Sequence, residues 1–93
     1  MAKYFVDLSN VERDLRLKIP NIILEKIKIW VLRVELDGMQ KTRMIKSYHD
    51  EPLMGDRKGQ RSIRLNRKYR LIYMELGREV IIVKVLEVNA HEY

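Results

Sequence analysis

The chain has 93 residues, 46% of them hydrophobic and 34% charged, with no cysteine and a formal net charge of +6. This length and composition suit one folded domain, residues 1–93, and the missing cysteines exclude disulfides, cysteine-bound zinc and thiol catalysis. Because no signal-peptide pattern and no apolar run of about 18 residues is present, we expect a cytoplasmic protein without a membrane segment.

The first half of the chain predicts one strand and two helices. Lys3–Asp7 is rich in aromatic and β-branched residues and predicts a short strand. Polar capping residues favour a first helix over residues 11–18, and Pro20 ends it and begins a longer helix over residues 22–36. The core-facing positions of the longer helix are Ile23, Ile27, Trp30, Val31 and Val34. Further apolar positions widen this stripe, so we expect the helix to pack on two sides and Gly38 to end it in a left-handed conformation.

The second half of the chain predicts a loop followed by three strands. Residues 39–59 contain scattered proline and glycine and are expected to be mostly loop, with a short helical turn near residues 41–45. Strands are predicted over residues 60–66, 69–76 and 79–88, joined by tight hairpin turns. The order β-α-α-β-β-β predicts an α+β fold, with two N-terminal helices packed on one face of a mostly antiparallel four-stranded sheet.

The positive charge of the chain is concentrated in one segment, residues 57–70. Its basic residues are Arg57, Lys58, Arg61, Arg64, Arg67, Lys68 and Arg70, and it contains no acidic residue. Basic and acidic residues nearly balance in the rest of the chain. Apolar residues interrupt the segment, which indicates structured chain rather than a solvated tail. Such a surface favours an acidic partner, such as nucleic acid, an acidic protein or an anionic membrane surface.

Alternation in the first hairpin strand separates apolar from basic side chains. Ile63 and Leu65 share one face, which we expect to pack under the helices, and Arg64 lies on the other. Arg70 follows the turn and is expected close to Arg64 across the hairpin. Clustered guanidinium groups repel one another, and an anion that neutralises them removes this cost. The pattern therefore predicts an anion site on the open face of the sheet.

Four stretches of the second half carry a family resemblance. They read YHDEPL (48–53), GDRKGQRSIRL (55–65), YRLIY (69–73) and EVNAHEY (87–93). Together they resemble the HigB branch of the RelE/ParE toxin superfamily. The resemblance implies a toxin of a type II toxin–antitoxin module that enters the 30S A site of the ribosome and cuts mRNA. It also implies an antitoxin partner, encoded beside the toxin, with which such toxins form hetero-oligomers.

The resemblance assigns roles to individual residues. Arg70 matches the arginine that stabilises charge in the transition state, and Arg64 matches a basic position that holds the RNA backbone. His91 and Tyr93 resemble a C-terminal pair that moves a proton and orients a base. The catalytic residues implied are Arg64, Arg70, His91 and Tyr93. The residues implied in RNA binding are Arg57, Lys58, Arg61, Arg67 and Lys68. Many relatives have lysine where this chain has Met54, which bears on RNA affinity.

The residues themselves are compatible with RNA cleavage through the substrate's own 2′-hydroxyl. This reaction needs positive charge on the phosphate and groups that move protons. The arginines supply the charge, and His91 supplies an imidazole, a group that when unperturbed titrates near about 6.5 and can transfer protons. His49 and His91 are the only histidines, and no metal-binding spacing is present. We therefore expect no metal and no cofactor. Together with the family resemblance, this implies products ending in a 2′,3′-cyclic phosphate and a 5′-hydroxyl.

Two other interpretations remain open from the sequence. The ParE branch inhibits DNA gyrase, so the chain could be a gyrase inhibitor whose basic face only docks an acidic partner. It could also be a non-catalytic homologue that still binds its antitoxin. His49 is interpreted as a loop residue, and Asp50 and Glu51 as partners of the arginines rather than as general bases.

Overall fold

The computed structural model describes residues 2–90. In chain order its elements are β1 (Lys3–Asp7), α1 (Glu12–Leu17), α2 (Asn21–Asp37), α3 (Met39–Arg43), β2 (Glu51–Pro52), β3 (Arg61–Arg64), β4 (Tyr69–Gly77) and β5 (Val80–Ala90). Two single-turn 3₁₀ helices, Lys46–Tyr48 and Gly55–Arg57, lie on either side of β2. Among these described elements, no helix combines the length and the apolar character needed to cross a membrane.

The strands form one sheet in the order β1-β5-β4-β3-β2, in which β1 runs parallel to β5 and the other pairs are antiparallel. This arrangement confirms the predicted fold class of helices on a mostly antiparallel sheet. The sheet has five strands rather than the four predicted, because Glu51 and Pro52 pair with the edge of β3. A two-residue strand has no alternation to detect, and proline is tolerated only at an edge, where it removes no ladder hydrogen bond.

The long helix α2 packs its predicted stripe against the sheet. Its buried positions are Ile23, Ile27, Trp30 and Val34. The Trp30 ring lies 5.4 Å from the ring of Tyr73 on β4, which confirms Trp30 as a core residue. The expectation that α2 packs on two sides is wrong, because Ile22, Leu32 and Leu36 are 67%, 56% and 80% exposed. The helix therefore buries one face and presents apolar side chains on the other.

Gly38 separates α2 from α3, as its sequence position suggested. Its φ of 84° lies in the region that favours glycine, and its N–H donates to Val34 at 2.9 Å to end α2. A Cβ at this position would lie 3.2 Å from the ring of Tyr4. Its carbonyl accepts hydrogen bonds from both the backbone N–H and the hydroxyl of Thr42, which starts α3 immediately.

A buried ion network joins the segment after α3 to the helix-covered face of the sheet. The Asp50 carboxylate is 1% exposed and accepts hydrogen bonds from Arg61 Nε on β3 and from the Tyr73 hydroxyl on β4, both at 2.6 Å. Arg43 on α3 completes the network, because its Nη2 donates to Glu75 at 2.9 Å and to the Tyr73 hydroxyl at 3.4 Å. A buried carboxylate is tolerated only when such partners satisfy it.

The hydroxyl of Tyr73 can be removed without disturbing its ring. Tyr73→Phe keeps the contact with Trp30 and deletes the 2.6 Å donor to Asp50, together with the longer 3.4 Å contact that the hydroxyl accepts from Arg43. Hydrogen bonds to charged groups contribute about 1.5–3 kcal/mol, so we expect the free energy of unfolding to fall by about that amount. Urea denaturation measures the change. Tyr4→Phe is the matched control, since the Tyr4 hydroxyl makes no hydrogen bond within residues 2–90; equal effects of the two substitutions would contradict the prediction.

Alkaline unfolding gives a second test of the same network. Burial and the hydrogen bond to Asp50 raise the pKa of Tyr73 above its usual value. Above pH about 10 the unfolded chain loses this proton while the folded chain keeps it, so the free energy of unfolding falls as the pH rises, by up to about 1.4 kcal/mol per pH unit. We expect the difference in stability between wild type and Tyr73→Phe to shrink from pH 9 to 11. A constant difference would contradict this prediction.

Candidate active site on the open face of the sheet

The open face of the sheet places two arginines side by side, as the hairpin pattern predicted. Arg64 on β3 and Arg70 on β4 are direct cross-strand partners, and Arg70 is flanked on its other side by Asn89 on β5. Like charges directly opposite each other destabilise a strand pair. Retaining two guanidinium groups here therefore favours a site at which an anion binds.

A second row of side chains lies next to this arginine row. It runs from Glu51 on β2 through Ser62 and Ile72 to Glu87 on β5. Arg70 Nη1 lies 3.4 Å from the hydroxyl of Ser62 and 3.8 Å from Glu51 Oε1. The Arg70 side chain is 14% exposed, whereas that of Glu51 is 60% exposed. The Arg70 side chain is thus largely shielded from solvent, whereas the carboxylate of Glu51 beside it is accessible.

A β-bulge brings the end of β5 into this row. Ile72 pairs with Glu87 and the next residue, Tyr73, pairs with Val85, so Leu86 has no partner on β4. Before the bulge the odd-numbered residues of β5 face the helices, and after it they face the open side. Glu87 and Asn89 would otherwise point into the core. The bulge therefore supplies this site with a carboxylate and an amide.

Arg57 closes one side of the site from the 3₁₀ helix after β2. Its Nη2 donates to Glu87 at 2.6 Å and its Nε to Gln60 at 2.8 Å. The resulting depression, of about 450 Å³, is lined by Glu51, Leu53, Arg57, Ser62, Arg70, Ile72, Glu87 and Asn89. It combines two guanidinium groups with two carboxylates, a set that can bind a phosphate and exchange protons with its substituents.

The structure distributes the other predicted site residues over different surfaces. Arg61 points to the helix-covered face, where it forms the ion pair with Asp50. Lys58 is exposed next to Arg57, and Arg67 and Lys68 are exposed in the β3–β4 turn. The predicted roles of these residues in RNA binding stay predictions. His91 and Tyr93 lie outside the described residues.

Glu51, Glu87 and Asn89 line the depression but were not assigned a catalytic or RNA-binding role from the sequence. Glu51 was interpreted only as a partner of the arginines, and its 3.8 Å contact with Arg70 fits that interpretation. The sequence alone does not show which residues near the end of β5 face outward, because the bulge that turns Glu87 outward depends on pairing with β4. One local signal of the bulge was present: the buried valines fall on odd positions at Val83 and Val85 and then on an even position at Val88.

His49 lies away from this set. It is exposed and adopts a left-handed conformation with φ of 45°, ending the 3₁₀ helix Lys46–Tyr48. Histidine is among the few non-glycine residues enriched in this region. Within residues 2–90, no three histidine, aspartate or glutamate side chains are grouped so that they could hold a metal ion.

Comparisons with known proteins identify the fold. No family model matches the sequence, and no curated protein sequence matches it. The model is similar to a YoeB/ParE toxin from Agrobacterium tumefaciens, with 23% identity, a TM-score of 0.66 and coverage of 97% of this chain and 99% of that chain. It is also similar to a chain of the YoeB–YefM complex from Staphylococcus aureus, with 18% identity, a TM-score of 0.64 and 99% coverage of both chains. A chain of the RelBE2 toxin–antitoxin complex from Mycobacterium tuberculosis matches with 20% identity, a TM-score of 0.63 and coverage of 97% and 98%. The protein therefore has the fold of the RelE/ParE toxins, which confirms the fold that the sequence resemblance implied.

The charge balance of the depression can be changed by one substitution. Glu87→Gln removes a negative charge and leaves Arg57 facing an uncharged amide. Two unit charges about 6 Å apart interact by about 0.7 kcal/mol in water, so we expect inorganic pyrophosphate to bind at least about threefold more tightly. Isothermal titration calorimetry measures this change. Glu79→Gln in the β4–β5 turn is the matched control, and an equal gain in both variants would assign the effect to net charge instead of the depression.

Proposed function

We propose that this protein is a member of the RelE/ParE superfamily and acts as the toxin of a type II toxin–antitoxin module. Two independent observations support the proposal. The likeness to toxin structures extends over 97% of this chain. The motifs of residues 48–73 that resemble the HigB branch contain residues of the depression, including Glu51, Arg57 and Arg70.

We further propose that the activity is ribosome-dependent cleavage of mRNA in the A site. The observation that carries this step is the pairing of Arg64 with Arg70, with the Glu51 carboxylate 3.8 Å from Arg70. In the proposed reaction the 2′-oxygen of the substrate attacks the adjacent phosphorus, and the bond from phosphorus to the 5′-oxygen breaks. The products are a 2′,3′-cyclic phosphate and a 5′-hydroxyl. Arg70 and Arg64 stabilise the additional negative charge on the phosphate in the transition state.

Two protons must move in this reaction. The 2′-hydroxyl loses a proton as it attacks, and the 5′-oxygen gains one as it leaves. Glu51 is suited to accept the first proton because its carboxylate is 60% exposed and next to Arg70. His91 would supply the second, since it directly follows Ala90, which pairs with Tyr69 beside Arg70. Tyr93 would orient a base of the substrate. Arg57 and Lys58 would hold the RNA backbone beside the cleaved phosphate.

An antitoxin is the proposed protein partner. Two of the similar structures are described as complexes, YoeB–YefM and RelBE2. On this chain the outer side of α2 leaves Ile22, Leu32 and Leu36 exposed to water. Exposed apolar side chains of this kind mark surfaces that another protein covers. Because the proposed substrate is mRNA on translating ribosomes, the proposed site of action is the cytoplasm.

Inhibition of DNA gyrase is the second candidate function. It is favoured by one comparison, the likeness to a protein described as a YoeB/ParE toxin, since the ParE branch acts on gyrase. In that case the arginines would dock an acidic partner, and no RNA would be cut.

Substitution of Arg70 tests the proposed chemistry. Arg70→Ala removes the guanidinium that faces the phosphate, and the loss of one such donor costs about 10²–10³-fold in rate. We expect cuts in a reporter mRNA, mapped by primer extension in a translation extract, to fall by about that factor and growth arrest to be lost. Glu51→Gln and His91→Ala are expected to slow cleavage while retaining RNA binding.

Controls separate chemistry from folding and from other targets. Arg78→Ala in the β4–β5 turn removes the same residue type at the opposite end of β4 and should cut as wild type does. Omitting 70S ribosomes should abolish the cuts. A folded Arg70→Ala variant that cuts at the wild-type rate would overturn the proposed role of Arg70. Intact mRNA with persistent growth arrest and inhibited DNA supercoiling would favour the gyrase function instead.

A further inference from the structure

A basic groove lies on the helix side of β3, separate from the depression on the open face. It has a volume of about 520 Å³ and lies between α2, the segment after α3 and the β3–β4 turn. Its basic residues are Lys26, Arg33, Arg64 and Arg67, and no acidic residue lines it. Two of these residues, Lys26 and Arg33, lie outside the basic segment of the sequence. The fold therefore collects positive charge that the sequence keeps apart.

One basic side chain of the groove is anchored by the backbone, and two others are exposed to solvent. Lys26 Nζ donates to the carbonyl of Leu65 at 3.0 Å, which fixes the ammonium group at the end of β3. Burial raises the pKa of Tyr48, and the charge of Arg33, which lines the same groove, partly offsets that rise. Arg33 and Arg67 are exposed to solvent. The groove thus offers guanidinium groups to a ligand without a carboxylate among its lining residues to neutralise them.

Arg64 connects this groove with the depression. It lines the groove and is also the cross-strand partner of Arg70. Arg64 can contribute to both surfaces because β2 pairs only with Arg61 and Ser62, so no strand pairs with β3 on this edge at Arg64. A polyanion lying over the depression could therefore continue around this edge without leaving positively charged surface.

We propose that the groove formed by Lys26, Arg33, Arg64 and Arg67 binds the phosphate backbone of the RNA that flanks the cleaved bond. The proposal rests on the proposed function in taking RNA as the ligand. An RNA chain extends on both sides of the bond that is cut and can therefore reach the groove. An isolated phosphate bound in the depression would not reach it. The continuity through Arg64 and the absence of acidic lining residues favour a polynucleotide over a small anion.

Binding of a non-cleavable RNA tests the groove independently of catalysis. The probe is a fluorescein-labelled, fully 2′-O-methylated 12-nucleotide RNA, whose 2′-oxygens cannot attack, and fluorescence anisotropy is recorded at several salt concentrations. Each phosphate contact on a single strand contributes about 0.7 to the slope of log affinity against log salt. We expect the double variant Arg33→Gln/Arg67→Gln to reduce that slope by about 1.4 and to weaken binding by about tenfold or more at 0.1 M salt.

The control variant removes the same charge elsewhere. Arg13→Gln/Arg78→Gln replaces two exposed arginines that line neither the groove nor the depression, and it should change the slope by much less. Arg33→Lys/Arg67→Lys keeps both charges and should restore most of the slope. Thermal unfolding of each variant establishes that the chain is folded before binding is compared.

The outcomes separate the groove from the proposed function. Equal slopes in the groove variant and the control variant would overturn the groove, even if wild type cuts mRNA on ribosomes. A groove-specific loss of slope would support it, even if no cleavage is found. A poly-glutamate peptide with the same number of charges is the remaining arm. If it binds as tightly as the RNA and shows the same loss in the groove variant, the ligand is an acidic protein and the proposal is wrong.

Discussion

The buried carboxylate of Asp50 determines how the second half of the chain meets the sheet. A charged group that is 1% exposed must have strong donors, and it takes them from Arg61 on β3 and Tyr73 on β4. Because neighbouring residues of an extended chain point to opposite faces, fixing Asp50 inward directs Glu51 outward. The same contact holds β2 against β3. The position of Glu51 beside Arg70 thus follows from an ion network on the other side of the sheet.

The bulge in β5 determines which side chains reach the depression from its other edge, opposite β2. It allows Val83 and Val85 to face the core before the bulge and Val88 to face it afterwards. The unpaired Leu86 shifts the strand by one residue, so Glu87 and Asn89 join the arginine face. Without the bulge Glu87 would face the core, and burying an unpaired carboxylate there would lower the stability of the fold. The bulge therefore both keeps the valines of β5 in the core and brings Glu87 and Asn89 to the open face.

The sequence predicted most of the fold because its regular elements have strong periodicity. The helix stripe of Ile23, Ile27 and Trp30 and the alternation in β3 each depend only on local pattern. The Arg64–Arg70 pair was predictable because a tight turn fixes the register of a hairpin. In contrast, β2 and the bulge arise from pairing between distant residues and leave little local signal. In the structure Arg61 lies on the same face of β3 as Ile63, so its guanidinium meets Asp50 instead of the open face.

In the fold, some basic residues of segment 57–70 lie next to carboxylates and others do not. Arg61 pairs with Asp50 and Arg57 with Glu87, and Arg70 lies near Glu51. Within residues 2–90, no carboxylate pairs with the remaining basic residues of the segment: Lys58, Arg64, Arg67 and Lys68. Three of these four lie at or after the end of β3, so the positive charges of the segment that have no carboxylate partner among residues 2–90 are concentrated there. Arg64 lies between this group of basic side chains and the depression, because it is the cross-strand partner of Arg70.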